Sequence, residues 1–254
     1  MAKLENDLTR DPTPALIVAG PRSGGTFLAH CLSNHPDIYC ERQEVLHESS
    51  AFFRVGKWMK PHHVLQIVWA HSGYEAACCR VQYAQLSAPG LWDLVRQRGA
   101  VLIHLTRKNK LRQAVSVIIN QGVRRRALAF HPQHTTTRPE KPLTLALRPL
   151  DVQRLVQRLI DTEEAWKRVI QASSLPNVDV TYERITGGSV EADQLAPDVT
   201  EWICKALGVP VPGQPLKTQL KRVNRWPLSS IVTNWAELAA AMGKADMGEW
   251  VEAD

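Results

Sequence analysis

The chain has 254 residues, 44% of them apolar, with a formal net charge of +6 and a pI near 9.2. That length supports one sizeable core, and no Ser/Gly linker or shift in composition divides it, so residues 1–254 read as a single domain. No run approaches the roughly 18 consecutive apolar residues that cross a bilayer, and the opening MAKLENDLTRDPTP has mixed charge and no apolar stretch of a secretory signal. The expectation is a cytoplasmic protein without a transmembrane segment, with an anionic partner to match its basic balance.

Along the chain, ALIVAG at 15–20 is a short continuous apolar run, as a buried parallel strand requires. Residues 24–34 read as a helix with Phe27, Leu28, Cys31 and Leu32 toward the core, stopped by Asn34-His35-Pro36. The less regular region 41–99 is rich in His and Trp, and its segment CCRVQYA, 78–84, is a candidate strand. A second clear strand, AVLIHLT at 100–106, leads into the helical stretch LRQAVSVIIN at 111–120. Residues 122–149 are dense in Arg, Pro and Thr without a sustained period, and read as a surface insertion or lid. An amphipathic helix follows at 151–172, with Val152, Leu155, Val156, Leu159, Ile160 and Trp166 on its apolar side. A strand into a turn at 177–185, a helix at 199–209 closed by Gly208 and a basic, then helical tail complete the chain. Two strand–loop–helix units predict an α/β fold: a central parallel sheet flanked by helices in three layers, with ligand at the strands' C-terminal ends.

The five cysteines, Cys31, Cys40, Cys78, Cys79 and Cys204, include no CxxC pair, and the adjacent Cys78-Cys79 cannot bridge without strain. Neither a zinc site nor a disulfide framework is expected.

The chemistry begins at Gly20-Pro21-Arg22-Ser23-Gly24-Gly25-Thr26, between the first strand and its helix. Such a loop aims backbone N–H groups at one spot, where the helix dipole also favours negative charge. Gly24 and Gly25 let the backbone approach an anion, and Thr26 adds a hydroxyl. The triphosphatase loop GxxxxGK[ST] needs a Lys before its Ser or Thr, but Gly25 stands before Thr26 and Phe27 follows it. The available cation is Arg22, a planar fork suited to a phosphate- or sulfate-like group.

These residues, with Leu28 and His35-Pro36, resemble the 5′-phosphosulfate loop of sulfotransferases that use 3′-phosphoadenosine 5′-phosphosulfate (PAPS). Gly25 departs from that loop, where Thr or Ser is usual. LTRKNKLRQAVSVIIN resembles the family's 3′-phosphate motif, an Arg leaving a strand and a Ser in the next helix, here Arg107 and Ser116. Their spacing, with VTYERIT and LSSIVTNWAEL further on, looks like the bacterial branch that includes Nod-factor, lipopolysaccharide and trehalose sulfotransferases. The resemblance implies a P-loop-like fold and a nucleotide held by Arg22, Ser23, Gly24, Gly25, Thr26, Phe27, Arg107 and Ser116. It adds basic contacts among Lys217, Lys221 and Arg222. It implies transfer of a sulfuryl group to a hydroxyl of a carbohydrate, glycolipid or other small metabolite, leaving adenosine 3′,5′-bisphosphate (PAP), with no metal required. Lys110 and Arg112 are expected to be solvated.

In-line sulfuryl transfer needs one proton removed from the acceptor, and a general base contributes about 10²- to 10⁴-fold. The stretch YCERQEVLHES offers Glu41, Glu44, His47 and Glu48. The resemblance places the base on Glu44, with Glu41 and His47 as rivals, and Arg22 beside it in the catalytic set. His62, His63 and His71, among Trp58 and Trp69, could line an acceptor pocket or simply pack. Two other functions stay open: a nucleotide or metabolite kinase with a degenerate loop, and a nucleic-acid-binding protein suggested by Arg124-Arg125-Arg126. The second lacks the clustered aromatic platform of single-strand binders. Homo-oligomerisation stays open.

Overall fold

The computed structural model describes residues 11–46, 60–126, 142, 144–189, 191–220 and 226–252; for 122–126 and 252 it describes the backbone alone. The chain opens with strand β1 (Thr13–Ala19), helix α1 (Gly25–Leu32) and strand β2 (Ile38–Glu44). After α2 (Pro61–Trp69) come β3 (Ala76–Gln82), the single turn α3 (Tyr83–Leu86), α4 (Leu91–Gln97) and β4 (Val101–Thr106). The second half contains α5 (Lys110–Arg126), α6 (Pro149–Ala172), β5 (Asn177–Thr181), α7 (Tyr182–Ile185), α8 (Pro197–Leu207), α9 (Leu228–Ile231), α10 (Trp235–Lys244) and α11 (Glu249–Glu252).

All strand pairings are parallel, in the order β2-β3-β1-β4-β5. β1 is central and buried on both faces, which is why its sequence is continuously apolar rather than alternating. Its side chains still divide with period two: Ala15, Ile17 and Ala19 join a core under α1 and α8, and Leu16 and Val18 join the opposite one with α2 and α4. A third cluster packs α5 against α6 and α10 through Leu111, Val115, Val152, Val156, Leu238 and Met242. The sheet with helices on both faces is the three-layer α/β arrangement expected from the sequence. Strand order reverses at β1: the chain fills the β2–β3 side, then crosses to β4 and β5. Crevices at the C-terminal ends of strands at such a reversal are where ligands bind.

Several boundaries move. Residues 41–44 continue strand β2 rather than starting a loop; β2 is an edge strand with exposed polar positions, so it lacks the apolar run that marks β1 and β4. The helix expected at 111–120 runs as Lys110–Arg126, into the region read as an insertion; most of the rest of that region, 127–141 and 143, lies outside the described residues. The strand into a turn read at 177–185 holds: β5 ends at Thr181, whose hydroxyl accepts from the Arg184 N–H and caps the turn α7. Gly208, at φ 72°, closes α8 as expected. Among the described residues no helix is long and apolar enough to cross a membrane. All five cysteines are buried and free.

Candidate active site

Four elements meet at the C-terminal end of the sheet: the loop from β1 to α1, the start of α5, the end of β2 and the end of β3. In the loop, Gly24 caps α1 at φ 97°, a conformation that favours glycine. A Cβ there would also collide with the Tyr182 ring. The helix's first backbone bond runs from the Leu28 N–H to the Gly24 carbonyl. The N–H groups of Gly25, Thr26 and Phe27 precede it and point out of the helix start. Ser23 is buried and its hydroxyl staples the turn by donating to the Gly20 carbonyl at 2.7 Å. Phe27 turns its side chain into the core, so only its backbone faces the crevice.

Arg22 sits at φ 61°, left-handed backbone that a non-glycine residue adopts at a cost. Two contacts from α5 and the turn before it hold it there. Arg22 Nε donates to Ser116 Oγ at 2.9 Å, and Arg107 Nη1 donates to the Arg22 carbonyl at 3.1 Å. Arg107, 7% exposed, also stacks its guanidinium over the Tyr182 ring, 4.7 Å from the centroid. Gln113 donates to the Pro21 carbonyl at 2.8 Å, and its buried Oε1 has no partner among the described residues. The two motifs singled out in the sequence therefore form one corner.

The neighbours of Arg107 are more tightly held than expected. Lys110 is buried, with Nζ 2.7 Å from Glu163 Oε2, and Arg112 donates to the Trp226 carbonyl at 2.6 Å. Both were expected to be solvated; the packing of α6 and of residue 226 against α5 supplies the partners that local sequence does not show. Asn109 Oδ1 accepts from the Arg112 N–H, and Glu183 accepts from the N–H groups of Lys108 and Asn109, so the turn between β4 and α5 is fixed.

A second corner forms at β2 and β3, where Glu44 and Arg80 are paired in register. Glu44 Oε2 lies 3.3 Å from Arg80 Nη2. Gln82 Nε2 donates to both Glu44 oxygens at 2.9 Å, and Gln85 Nε2 donates to Oε1 at 2.7 Å. Arg80 Nη1 also donates to Thr26 Oγ1, joining this corner to the loop. Burial lowers the Arg80 pKa, an effect that the Glu44 charge opposes. Arg80, Gln82 and Gln85 were not singled out in the sequence; the available signal was an Arg following the apolar run AACC within β3.

Beneath the loop, Tyr83 Oη lies 2.8 Å from His104 Nε2, and His104 Nδ1 lies 2.7 Å from Asp179 Oδ1. Asp179 can only accept when ionised, so Nδ1 carries the proton and Nε2 accepts from the phenol. Burial drives the Tyr83 pKa upward, which keeps that phenol a donor. A Cβ on Gly20 would lie 3.3 Å from Tyr83 Cε2, so this network supports the floor of the loop.

Other candidates fall elsewhere. Lys217 is exposed, and its carbonyl accepts from Asn34 at 2.7 Å, beyond the C-terminal end of α1 and about 12 Å of helix from the loop. Lys221, Arg222, His47, Glu48 and Trp58 lie outside the described residues, as do the side chains of Arg124, Arg125 and Arg126. Glu41 accepts from Tyr39 at 3.1 Å and from its own strand's Gln43 N–H. His71 stacks on Tyr39, at 3.6 Å between centroids, near the N-terminal end of β2 and so away from Glu44. His62 and His63 meet edge-on at the start of α2, while Trp69 is core, donating to the Ala15 carbonyl at 3.2 Å.

The fold is α/β, of the P-loop-like class, with a glycine-bearing loop from β1 into α1 that lies beside Arg107 and Ser116. The family model of the Stf0 sulphotransferases matches residues 50–225, well over half of the chain. The chain belongs to that family and is a sulfotransferase. The match includes Arg80, Arg107 and Ser116 but begins after the glycine loop and Glu44. Among solved structures, a sulfotransferase from Alicyclobacillus acidocaldarius matches with a TM-score of 0.52 at 15% identity, over 95% of this chain and 96% of that one. Mouse sulfotransferase SULT7A1, crystallised with PAP, matches with a TM-score of 0.42 at 12% identity, over 99% of this chain and 92% of that one. No curated protein sequence matches significantly.

Proposed function

We propose that the protein transfers the sulfuryl group of PAPS to a hydroxyl of a carbohydrate, glycolipid or other small metabolite, with Glu44 as general base. The observation that carries this reading is the junction of the two sequence motifs: Ser116 and Arg107, from the far side of the sheet's reversal, both contact Arg22 of the loop. A donor with anionic groups at two positions needs two clamps held in fixed relation, and the contacts of Ser116 and Arg107 with Arg22 support that reading.

The residues fit such a donor. Gly24 lets the loop turn into α1 at φ 97° against the Tyr182 ring, and the N-terminus of α1 offers N–H donors. When bound, PAPS supplies a sulfuryl group joined to a phosphate that can leave. Arg22 and the N–H groups of Gly25, Thr26 and Phe27 hold the 5′ end, and Arg107 with Ser116 holds the 3′-phosphate. Glu44 takes the proton from the acceptor hydroxyl. Its four bonds fill the acceptor capacity of a carboxylate. An acceptor hydroxyl therefore reaches Glu44 by replacing one of the amide donors.

Thermal unfolding with and without PAP tests this reading. A ligand held by both clamps must raise the melting temperature as its concentration passes Kd. An unchanged melting temperature at millimolar PAP would remove the proposal.

A further inference from the structure

Residue 25 is glycine where a hydroxyl residue was expected, and the backbone does not require it. Gly25 is absent from the positive-φ residues, so an L-residue could take its conformation. The obstacle is a side chain: a Cβ on Gly25 would lie 2.5 Å from Arg80 Cδ and 3.3 Å from Arg80 Cγ. Arg80 comes from the middle of the sheet, on the same strand face as Ala76 and Cys78, and crosses the first turn of α1 to reach Thr26 and Glu44. Its Nε is buried and has no partner among the described residues. Two of its guanidinium nitrogens are bonded, and its Nε would lie 3.7 Å from a Cβ on Gly25, beside the start of α1.

We infer that Arg80 is a second cation of the 5′-phosphate subsite, and that residue 25 is glycine because this guanidinium occupies the room a side chain would need. The inference rests on the PAPS reading above. Glu44 and Thr26 orient the guanidinium, and the glycine brings it against the helix start, where an anion already gains from N–H groups. The missing Lys of the loop is thus replaced from two directions: by Arg22 within the loop and by Arg80 from β3. A carboxylate beside Arg80 balances its charge when no ligand is bound, which makes a buried cation tolerable.

The test is a calorimetric titration of the purified protein with PAP and with adenosine 3′-monophosphate, which lacks the 5′-phosphate. Arg80→Gln should weaken PAP about tenfold or more, the usual effect of losing a hydrogen bond to a charged group. It should leave adenosine 3′-monophosphate within about twofold of wild type, since a contact to the missing phosphate cannot be lost. Equal weakening of both ligands, or of neither, would overturn the inference. If Arg80→Gln does not fold, Gly25→Ser serves in its place: it keeps the charge but displaces Arg80, so it should weaken PAP and again spare the monophosphate. In an Arg80→Ala background Gly25→Ser should cost nothing further; the same cost with and without Arg80 would sever the link between the two residues. A wild-type protein that binds neither ligand would sink the PAPS reading itself, whereas normal wild-type binding with unaffected variants would sink only the role of Arg80.

Discussion

The two corners of the site handle charge differently. At the β1–α1 corner, a hydroxyl, a backbone carbonyl and an aromatic face orient Arg22 and Arg107. At the β2–β3 corner, Arg80 faces Glu44, which also accepts three bonds from amide side chains. Under the proposed function the first corner receives the donor's anionic groups, and the second holds the carboxylate that takes the acceptor's proton beside a guanidinium. A transfer enzyme needs both: one place where negative charge is held, and one where a proton can leave.

The largest expected effect belongs to the second corner. Glu44→Gln should lower kcat by about 10²- to 10⁴-fold in a sulfuryl-transfer assay, while PAP affinity measured by calorimetry changes little. If turnover is unchanged, Glu44 is not the base and the two corners do not divide the work as described. At the first corner, Arg107→Ala should weaken PAP by about 10- to 100-fold, since charged hydrogen bonds contribute roughly 1.5–3 kcal/mol. Its effect on binding should exceed that of Glu44→Gln. The reverse ranking would break the comparison.

That contrast also governs what the sequence reveals. Arg22, Gly24 and Thr26 stand out in the sequence because a strand–glycine–helix turn fixes them over a few residues, and Arg107 and Ser116 because their stretch resembles the sulfotransferase 3′-phosphate motif. Glu44 and Arg80 lie 36 positions apart and meet only because β2 and β3 pair in parallel register. No local pattern encodes that register, and β2 is an edge strand whose polar residues read as a loop. The same limit applies to Lys110, which looks solvated until α6 brings Glu163 alongside it. The fold was more legible than the site, since β1 and β4 are buried on both faces and show it as unbroken apolar runs. The Gly25 departure was visible in the sequence, but its cause required Arg80's path across α1.

Smaller effects concern the support beneath the loop. Tyr83→Phe removes the donor to His104 Nε2 and leaves that buried nitrogen unpaired. Stability should fall by about 1–3 kcal/mol, read from the urea midpoint at constant slope. Buried thiols should matter least at neutral pH. Burial raises the Cys31 pKa to about 12 and the Cys204 pKa to about 11, from an ordinary value of 9.0. A raised thiol pKa favours the neutral form in the folded state, so its contribution is complete below pH 9 and lost as pH climbs through 11 and 12. Iodoacetamide at pH 8 should leave both thiols unmodified in the native protein and label them in urea, as mass spectrometry would show.

The central claim is that the site recognises a nucleotide with separate 3′ and 5′ anions, and a competition titration between PAP and ADP tests it most directly. Both ligands carry two phosphates on adenosine and differ in where the second is placed. The account predicts that PAP binds at least about tenfold more tightly, with the preference lost in Arg107→Ala. Equal affinity, or magnesium-dependent preference for ADP retained in Arg107→Ala, would contradict it and point to a kinase-like site.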